Sequence, residues 1–216
     1  MTRRVRPDDP VARILVVCTG NICRSPLAAA LLARHATRVD AAVEVTSAGV
    51  HGLTGEPATV DMCAEATSRG LDLSPHRAAV AEREIVADAD LVIAMTTRQR
   101  TQLARIAPRA KERVFTLKEL ARLSASVAPP EDGTPLRERL DQLVRAAHHA
   151  RALTVAPRDS EDVADPYGGS REGYRRCADE IEQLVDRLAP WLFGSADGVD
   201  RGSARAAQPG SAGAQG

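Results

Sequence analysis

In residues 14–32 the chain reads ILVVCTGNICRSPLAAALL. Residues 14–17 are all apolar and run straight into Cys18. Together with residues 11–13 they make a short run rich in β-branched side chains, which predicts a central strand. Ser25 and Pro26 then open an apolar-periodic stretch over 26–38. That stretch predicts a helix with Ser25 as its N-cap and Pro26 at its first position. Cys18, Thr19, Gly20, Asn21, Ile22, Cys23 and Arg24 therefore join the end of a strand to the start of a helix.

The same alternation continues on either side of Gly70. VEVTSAG (43–49) alternates and closes on Gly, ADLVIAM (89–95) is a buried strand, and RVFTL (113–117) is a fourth. Helices are predicted over 57–69, about 80–88, 97–106, near 118–123, about 135–152 and 170–192. The last is amphipathic, with Ile181, Leu184, Val185 and Leu188 on one face. Strands alternating with helices predict α/β layers around a parallel sheet. In such sheets ligands bind beyond the carboxyl ends of the strands, and Cys18 lies at that end of the first one.

The chain has 216 residues, which suits one domain with tails. Residues 1–10 read as a flexible arm, 11–193 as the domain, and the Gly/Ala/Ser-rich 194–216 as a disordered tail. Within the domain, a Pro/Gly/Ser-rich linker and the helix after it form an insertion at about 124–160, read as a lid, a partner surface or padding. The 29 basic and 29 acidic residues cancel, so there is no electrostatic footprint for nucleic acid or an anionic membrane. No apolar run approaches the length of a membrane span, and Asp8, Asp9 and Pro10 stand where a secretory signal would need an apolar core. A cytoplasmic, reducing setting is expected, in which the four cysteines serve as catalytic, redox-active or buried thiols rather than as a disulfide framework.

A loop between a strand and a helix N-terminus can turn its N–H groups inward and form an anion site. Gly20 tolerates unusual backbone angles, and Asn21 is among the few residues that enter the left-handed region readily. Arg24 offers a planar fork that holds two oxygens of a tetrahedral oxyanion at once. The same surroundings favour the thiolate of Cys18, to which Ser25 can donate its hydroxyl. An activated sulfur under a phosphate-sized cradle suggests attack on phosphorus. A cysteine after an apolar strand is more often a small buried hydrophobe, and a bare C-x5-R spacing recurs by chance. The surrounding strand, Gly, Asn, Ser-Pro and helix give the spacing its specificity.

VVCTGNICRSP (16–26) resembles the signature of the low-molecular-weight protein tyrosine phosphatase family, whose loop reads C-x-G-N-x-C-R-S-P. TSAG (46–49), GLDLSPHRA (70–78), ADLVIAM (89–95) and DPYGGS (165–170) follow in that family's order. The resemblance implies a three-layer flavodoxin-like fold with a four-stranded parallel sheet and helices on both faces. It implies hydrolysis of phosphotyrosine through a phosphocysteine intermediate on Cys18. Arg24 and the amides of Thr19, Gly20, Asn21, Ile22, Cys23 and Ser25 would hold the phosphoryl oxygens, and Asp165 would act as the distant acid. Read alone, Asp-Pro-Tyr-Gly-Gly is also an ordinary turn. Ser47 and His76 match positions that support the loop. Cys23 is either loop packing or the partner in a reversible Cys18–Cys23 disulfide that shields the nucleophile.

Many family members carry an aromatic residue after SAG that lines the cleft. Here the segment is SAGVHGLTGEP, so Leu53, or second His51, takes that wall, with Tyr167 opposite. This is closer to bacterial members tied to exopolysaccharide tyrosine kinases, which makes a phosphotyrosine-containing protein the implied partner. No cofactor or metal is called for; the adjacent His148 and His149 diverge on a helix and lack a third ligand at metal-like spacing. The alternative on the same fold is an arsenate reductase. Its chemistry needs further cysteines shortly after the third strand, where this chain reads TTRQRTQLARIAP.

Overall fold

A strand that is apolar on both sides of its pleat needs cover on both faces, and β1 (Ala12–Cys18) receives it. In the computed structural model, which describes residues 11–131, 133–154 and 161–194, β1 is central. β2 (Val43–Gly49) pairs with one edge of it and β3 (Leu91–Ala94) with the other, and β4 (Val114–Thr116) pairs with β3. All pairings are parallel and the order is β2-β1-β3-β4. This is the flavodoxin-like order, and its reversal of direction falls at β1 and β3. The carboxyl end of β1, where Cys18 lies, opens into that crevice.

Each sheet face carries its own core. Ile14, Val16 and Ile93 pack with α1 (Arg24–Arg38), α2 (Val60–Ser68), α5 (Leu117–Ser124), α6 (Leu136–Leu153) and α7 (Arg171–Phe193). Leu15, Val17, Val92 and Val114 pack on the other face with α3 (Arg83–Asp88), α4 (Thr97–Ile106) and a 3-10 turn at Pro108–Arg113. β2 alternates partly buried and exposed residues at its start, as an edge strand should. Among the described residues no helix is long and apolar enough to cross a membrane.

Several boundaries differ from the sequence expectation, each for a local reason. α1 begins at Arg24, and its N-cap is Cys23, which makes no side-chain cap. Ser25 is therefore not the N-cap; its hydroxyl is used inside the site. α2 starts at Val60 rather than 57, because Thr59 caps it by accepting the Met62 N–H at 3.4 Å. α3 starts at Arg83 rather than 80, since Val80 forms a parallel bridge with Gly49. The 3-10 turn went unread because it has no apolar period, only a Pro at its start.

α6 contributes Leu140, Leu143, Val144 and Ala147 to the main core. The buried Arg139 guanidinium caps the end of α7, donating to Leu192 O at 2.9 Å and Trp191 O at 3.0 Å. Trp191 Nε1 in turn donates to Val127 O at 2.8 Å, which ties the segment after α5 down. The arm at 1–10, residues 155–160 and the tail from 195 lie outside the described residues.

Phe115 on β4 is fully buried and has the Arg151 guanidinium 4.0 Å above its ring. Phe115→Ala removes the ring and leaves a cavity, a loss of about 3–5 kcal/mol. Urea unfolding should show a lowered midpoint with an unchanged slope.

Candidate active site

Asn21 sets the shape of the loop between β1 and α1. Its φ is 60°, in the left-handed region. Gly20 is not at positive φ, and a Cβ there would meet Ile22 and Leu53 only at ordinary contact distances. The backbone freedom expected of Gly20 is thus taken up by Asn21. The Asn21 amide is fully used: Nδ2 donates to Ser25 Oγ at 3.0 Å and Ser47 Oγ at 2.9 Å, and Oδ1 accepts from Ala79 N at 2.9 Å. His76 Nε2 lies 2.7 Å from the Asn21 carbonyl oxygen and, facing an acceptor, carries the proton. Gly49 lets the end of β2 approach the loop: a Cβ there would sit 2.4 Å from Thr19 O.

Cys18 is buried at the base of this loop. Its Sγ accepts from the Asn21 N–H at 3.3 Å and the Ser25 hydroxyl at 3.0 Å. Among the described residues, the N–H groups of Ile22, Cys23 and Arg24 have no protein acceptor. They lie at the N-terminus of α1, where helix geometry favours an anion.

Arg24 is 3% exposed, and its Nε is buried without a hydrogen-bond partner. Nη1 donates to Val163 O at 3.1 Å, and Nη2 pairs with the Asp165 carboxylate. Those two contacts bring the distant 161–170 segment to the loop. Val163 N also donates to Met95 O at 2.8 Å, just past β3, and Asp162 accepts the Thr97 N–H at 2.7 Å. Asp165 keeps a half-exposed side chain, and its Oδ1 accepts the Tyr167 N–H at 3.3 Å.

A cleft of about 280 Å³ opens over the thiol. Cys18, Thr19, Gly20, Ile22, Cys23, Arg24, Leu53, Asp165 and Tyr167 all line it, and so does His51. Leu53 and Tyr167 stand exposed at its mouth. Asn21, Ser25, Ser47 and His76 form a supporting layer behind the loop rather than its surface. Gln99, which the sequence reading passed over, belongs to that layer. It is buried, its Oε1 accepts from Met95 N and Thr96 N, and its Nε2 donates to Thr19 Oγ1 at 3.0 Å. The only sequence signal for it is a Thr96–Gln99 capping spacing at the start of α4.

All four cysteines are free. Burial pushes the Cys23 thiol up, against the opposing contacts from Thr59 and Tyr174. Cys177 is pushed up to about 12 by burial. Burial pushes the Cys63 thiol up as well, and Cys18 is the cysteine at the floor of the loop, with two hydrogen-bond donors on its sulfur.

Fold and loop together define an α/β scaffold of the flavodoxin-like order with a hydrogen-bonded thiol at the floor of its strand-to-helix loop. Residues 13–149 match the family model described as low molecular weight phosphotyrosine protein phosphatase. A protein-arginine-phosphatase of Geobacillus stearothermophilus is 35% identical over 83% of this chain and 95% of its own length. A probable low molecular weight protein-tyrosine-phosphatase EpsP of Ralstonia nicotianae is 34% identical over 62% of this chain and 90% of its own. Among solved structures, a mutant of the YwlE arginine phosphatase with a phosphorylated active-site serine superposes with a TM-score of 0.63. It is 31% identical and covers 83% of this chain and 95% of its own. The chain belongs to the low molecular weight phosphotyrosine protein phosphatase family.

Two outcomes follow from the geometry. Asn21→Ala leaves the Ser47 hydroxyl and the Ala79 N–H without their partner and puts Ala at positive φ, a loss of about 1–3 kcal/mol. Thermal unfolding and the rate of Cys18 alkylation should both register it. Asp165→Asn frees Arg24 Nη2 and removes a negative charge beside the cradle. The apparent affinity for inorganic phosphate, read from competition, should rise about three- to tenfold.

Proposed function

We propose that this chain is a protein tyrosine phosphatase that hydrolyses phosphotyrosine through a phosphocysteine intermediate. The observation that carries this reading is the buried Arg24 Nε–H, unpartnered beside unpaired loop amides and a hydrogen-bonded Cys18 sulfur. In the first step the Cys18 thiolate attacks phosphorus in line, the P–S bond forms and the P–O bond to the aryl group breaks. Asp165, protonated, gives its proton to the leaving oxygen. Arg24 and the amides of the loop hold the equatorial oxygens and are already in place when charge spreads over them. In the second step Asp165 takes a proton from water, which attacks phosphorus and releases phosphate and the thiolate. Because Arg24 pairs with Asp165, an arriving phosphoryl group competes for the guanidinium and releases the carboxyl group to its work.

The depth of the thiol and the character of the walls support an aryl ester. Cys18 is buried among the cleft-lining residues, which favours a long aryl ester over a short phosphoserine. Ile22, Leu53 and Tyr167 present an apolar slot suited to a ring. A phosphoarginine side chain would bring a guanidinium whose N–H groups need acceptors, and among the described residues Asp165 is the only carboxylate lining the cleft. Phosphoarginine is nonetheless the second reading, because the arginine phosphatase of Geobacillus stearothermophilus matches along most of this chain. The phosphorylated active-site serine in the YwlE mutant supports a covalent phosphoryl intermediate on this scaffold. The substrate proposed is a phosphotyrosine-containing protein in the cytoplasm, with an exopolysaccharide-linked tyrosine kinase among the candidates.

Steady-state hydrolysis of an aryl phosphate, of phosphotyrosine peptides and of phosphoarginine peptides tests the proposal. Cys18→Ser should abolish turnover, and Asp165→Asn should lower kcat by roughly 10²–10⁴-fold. Phosphotyrosine peptides should exceed phosphoarginine peptides in kcat/KM by at least about tenfold, the scale on which one unpaired buried polar group is felt. A preference for phosphoarginine, or turnover that survives Cys18→Ser, would reject it.

A further inference from the structure

A second cavity, of about 370 Å³, adjoins the catalytic cleft and shares Thr19, Arg24, His51 and Asp165 with it. A peptide whose phosphorylated side chain enters the cleft must lay its neighbouring residues over that shared rim, since consecutive Cα atoms are only about 3.8 Å apart. The second cavity is therefore within reach of residues one or two positions from the phosphorylated one.

Its charges are unevenly satisfied. Asp162 accepts the Thr97 N–H at 2.7 Å, and Asp165 is paired with Arg24. Gln99 spends its side chain on Met95, Thr96 and Thr19. Arg98, exposed in the first turn of α4, has no ion pair among the described residues. Beside it on the cavity wall are the Gln102 amide and the His51 ring, 3.5 Å apart. Gln102 and His51 are engaged with each other, so the guanidinium of Arg98 is the donor group on this wall left for a ligand, and its fork fits a carboxylate. Asp162 and Asp165 on the same wall disfavour a phosphoryl dianion there, whereas a carboxylate balances Arg98, the cation without an ion pair among the described lining residues.

We infer that this cavity is a recognition subsite for an acidic residue, Asp or Glu, flanking the phosphorylated residue of a protein substrate, with Arg98 as its cationic anchor. The inference rests on the reading of the chain as a protein phosphatase and adds a sequence preference to it. Arg98 touches no reacting atom, so small substrates that fill only the cleft do not sense it.

The test uses phosphotyrosine peptides in which Glu or Gln is scanned through two positions on each side, with a small aryl phosphate as reference. Should phosphoarginine prove to be the residue hydrolysed, the same scan is run on phosphoarginine peptides. The wild-type protein should favour one Glu peptide over its Gln counterpart by about fivefold in kcat/KM, the upper range for a partly exposed ion pair. The ratio should shrink as salt rises from about 50 to 500 mM, because the pair is screened. Arg98→Ala should remove the ratio and Arg98→Glu should reverse it in favour of a Lys peptide, with aryl phosphate turnover unchanged in both. Binding of the same peptides to the Cys18→Ser protein, read by fluorescence anisotropy, should give the same ratio without turnover. A flat scan, or a preference that survives Arg98→Glu, overturns the subsite. Failure of the aryl phosphate reaction in the wild-type protein would instead strike the phosphatase reading, and the two results are distinct.

Discussion

Asn21 is held at positive φ by four hydrogen bonds from its side chain and carbonyl, reaching Ser25, Ser47, His76 and Ala79. Those partners come from α1, from β2 and from the segment after α2. Without them a non-glycine residue in that conformation costs about 1 kcal/mol or more, and the loop would relax. With them, the Asn21 N–H is held on the Cys18 sulfur. The anion cradle is thus a strained loop whose shape the rest of the fold enforces, and Gly49 is small so that β2 can press against it.

A second constraint comes from the other end of the chain. Arg24 and Asp165 are separated by 141 residues and meet because Val163 is pinned between the end of β3 and the guanidinium. The pair neutralises a nearly buried cation, where an unpaired charge would be costly. The loop and Asp165 are coupled through a single side chain, and in the proposed mechanism binding an oxyanion and freeing the carboxyl group are one event.

The strands and most helices were legible because the apolar runs and periods are strong. ADLVIAM is a strand and 97–106 a helix on pattern alone, and the structure has β3 and α4 there. Helix starts were less legible, because a capping residue is chosen by what its side chain can reach in three dimensions. Ser25 has the right identity for an N-cap, yet its hydroxyl serves Cys18. The roles of Gln99 and Val163 left almost no trace: one is a polar residue in a polar helix, the other a single Val in an irregular segment. Each acts through contacts to residues far away in the chain.

Local chemistry and spacing were enough to place a thiol, an asparagine and an arginine between a strand and a helix, since all of them lie within seven consecutive residues. That proximity is covalent, and any fold that keeps the strand and the helix keeps it. The meeting of Asp165 with Arg24, the wall made by Leu53 and Tyr167, and the adjoining cavity with Arg98 depend on crossovers that bring four distant segments to one end of the sheet. Chain order does not encode those distances, because they are fixed by how helices pack on a twisted parallel sheet.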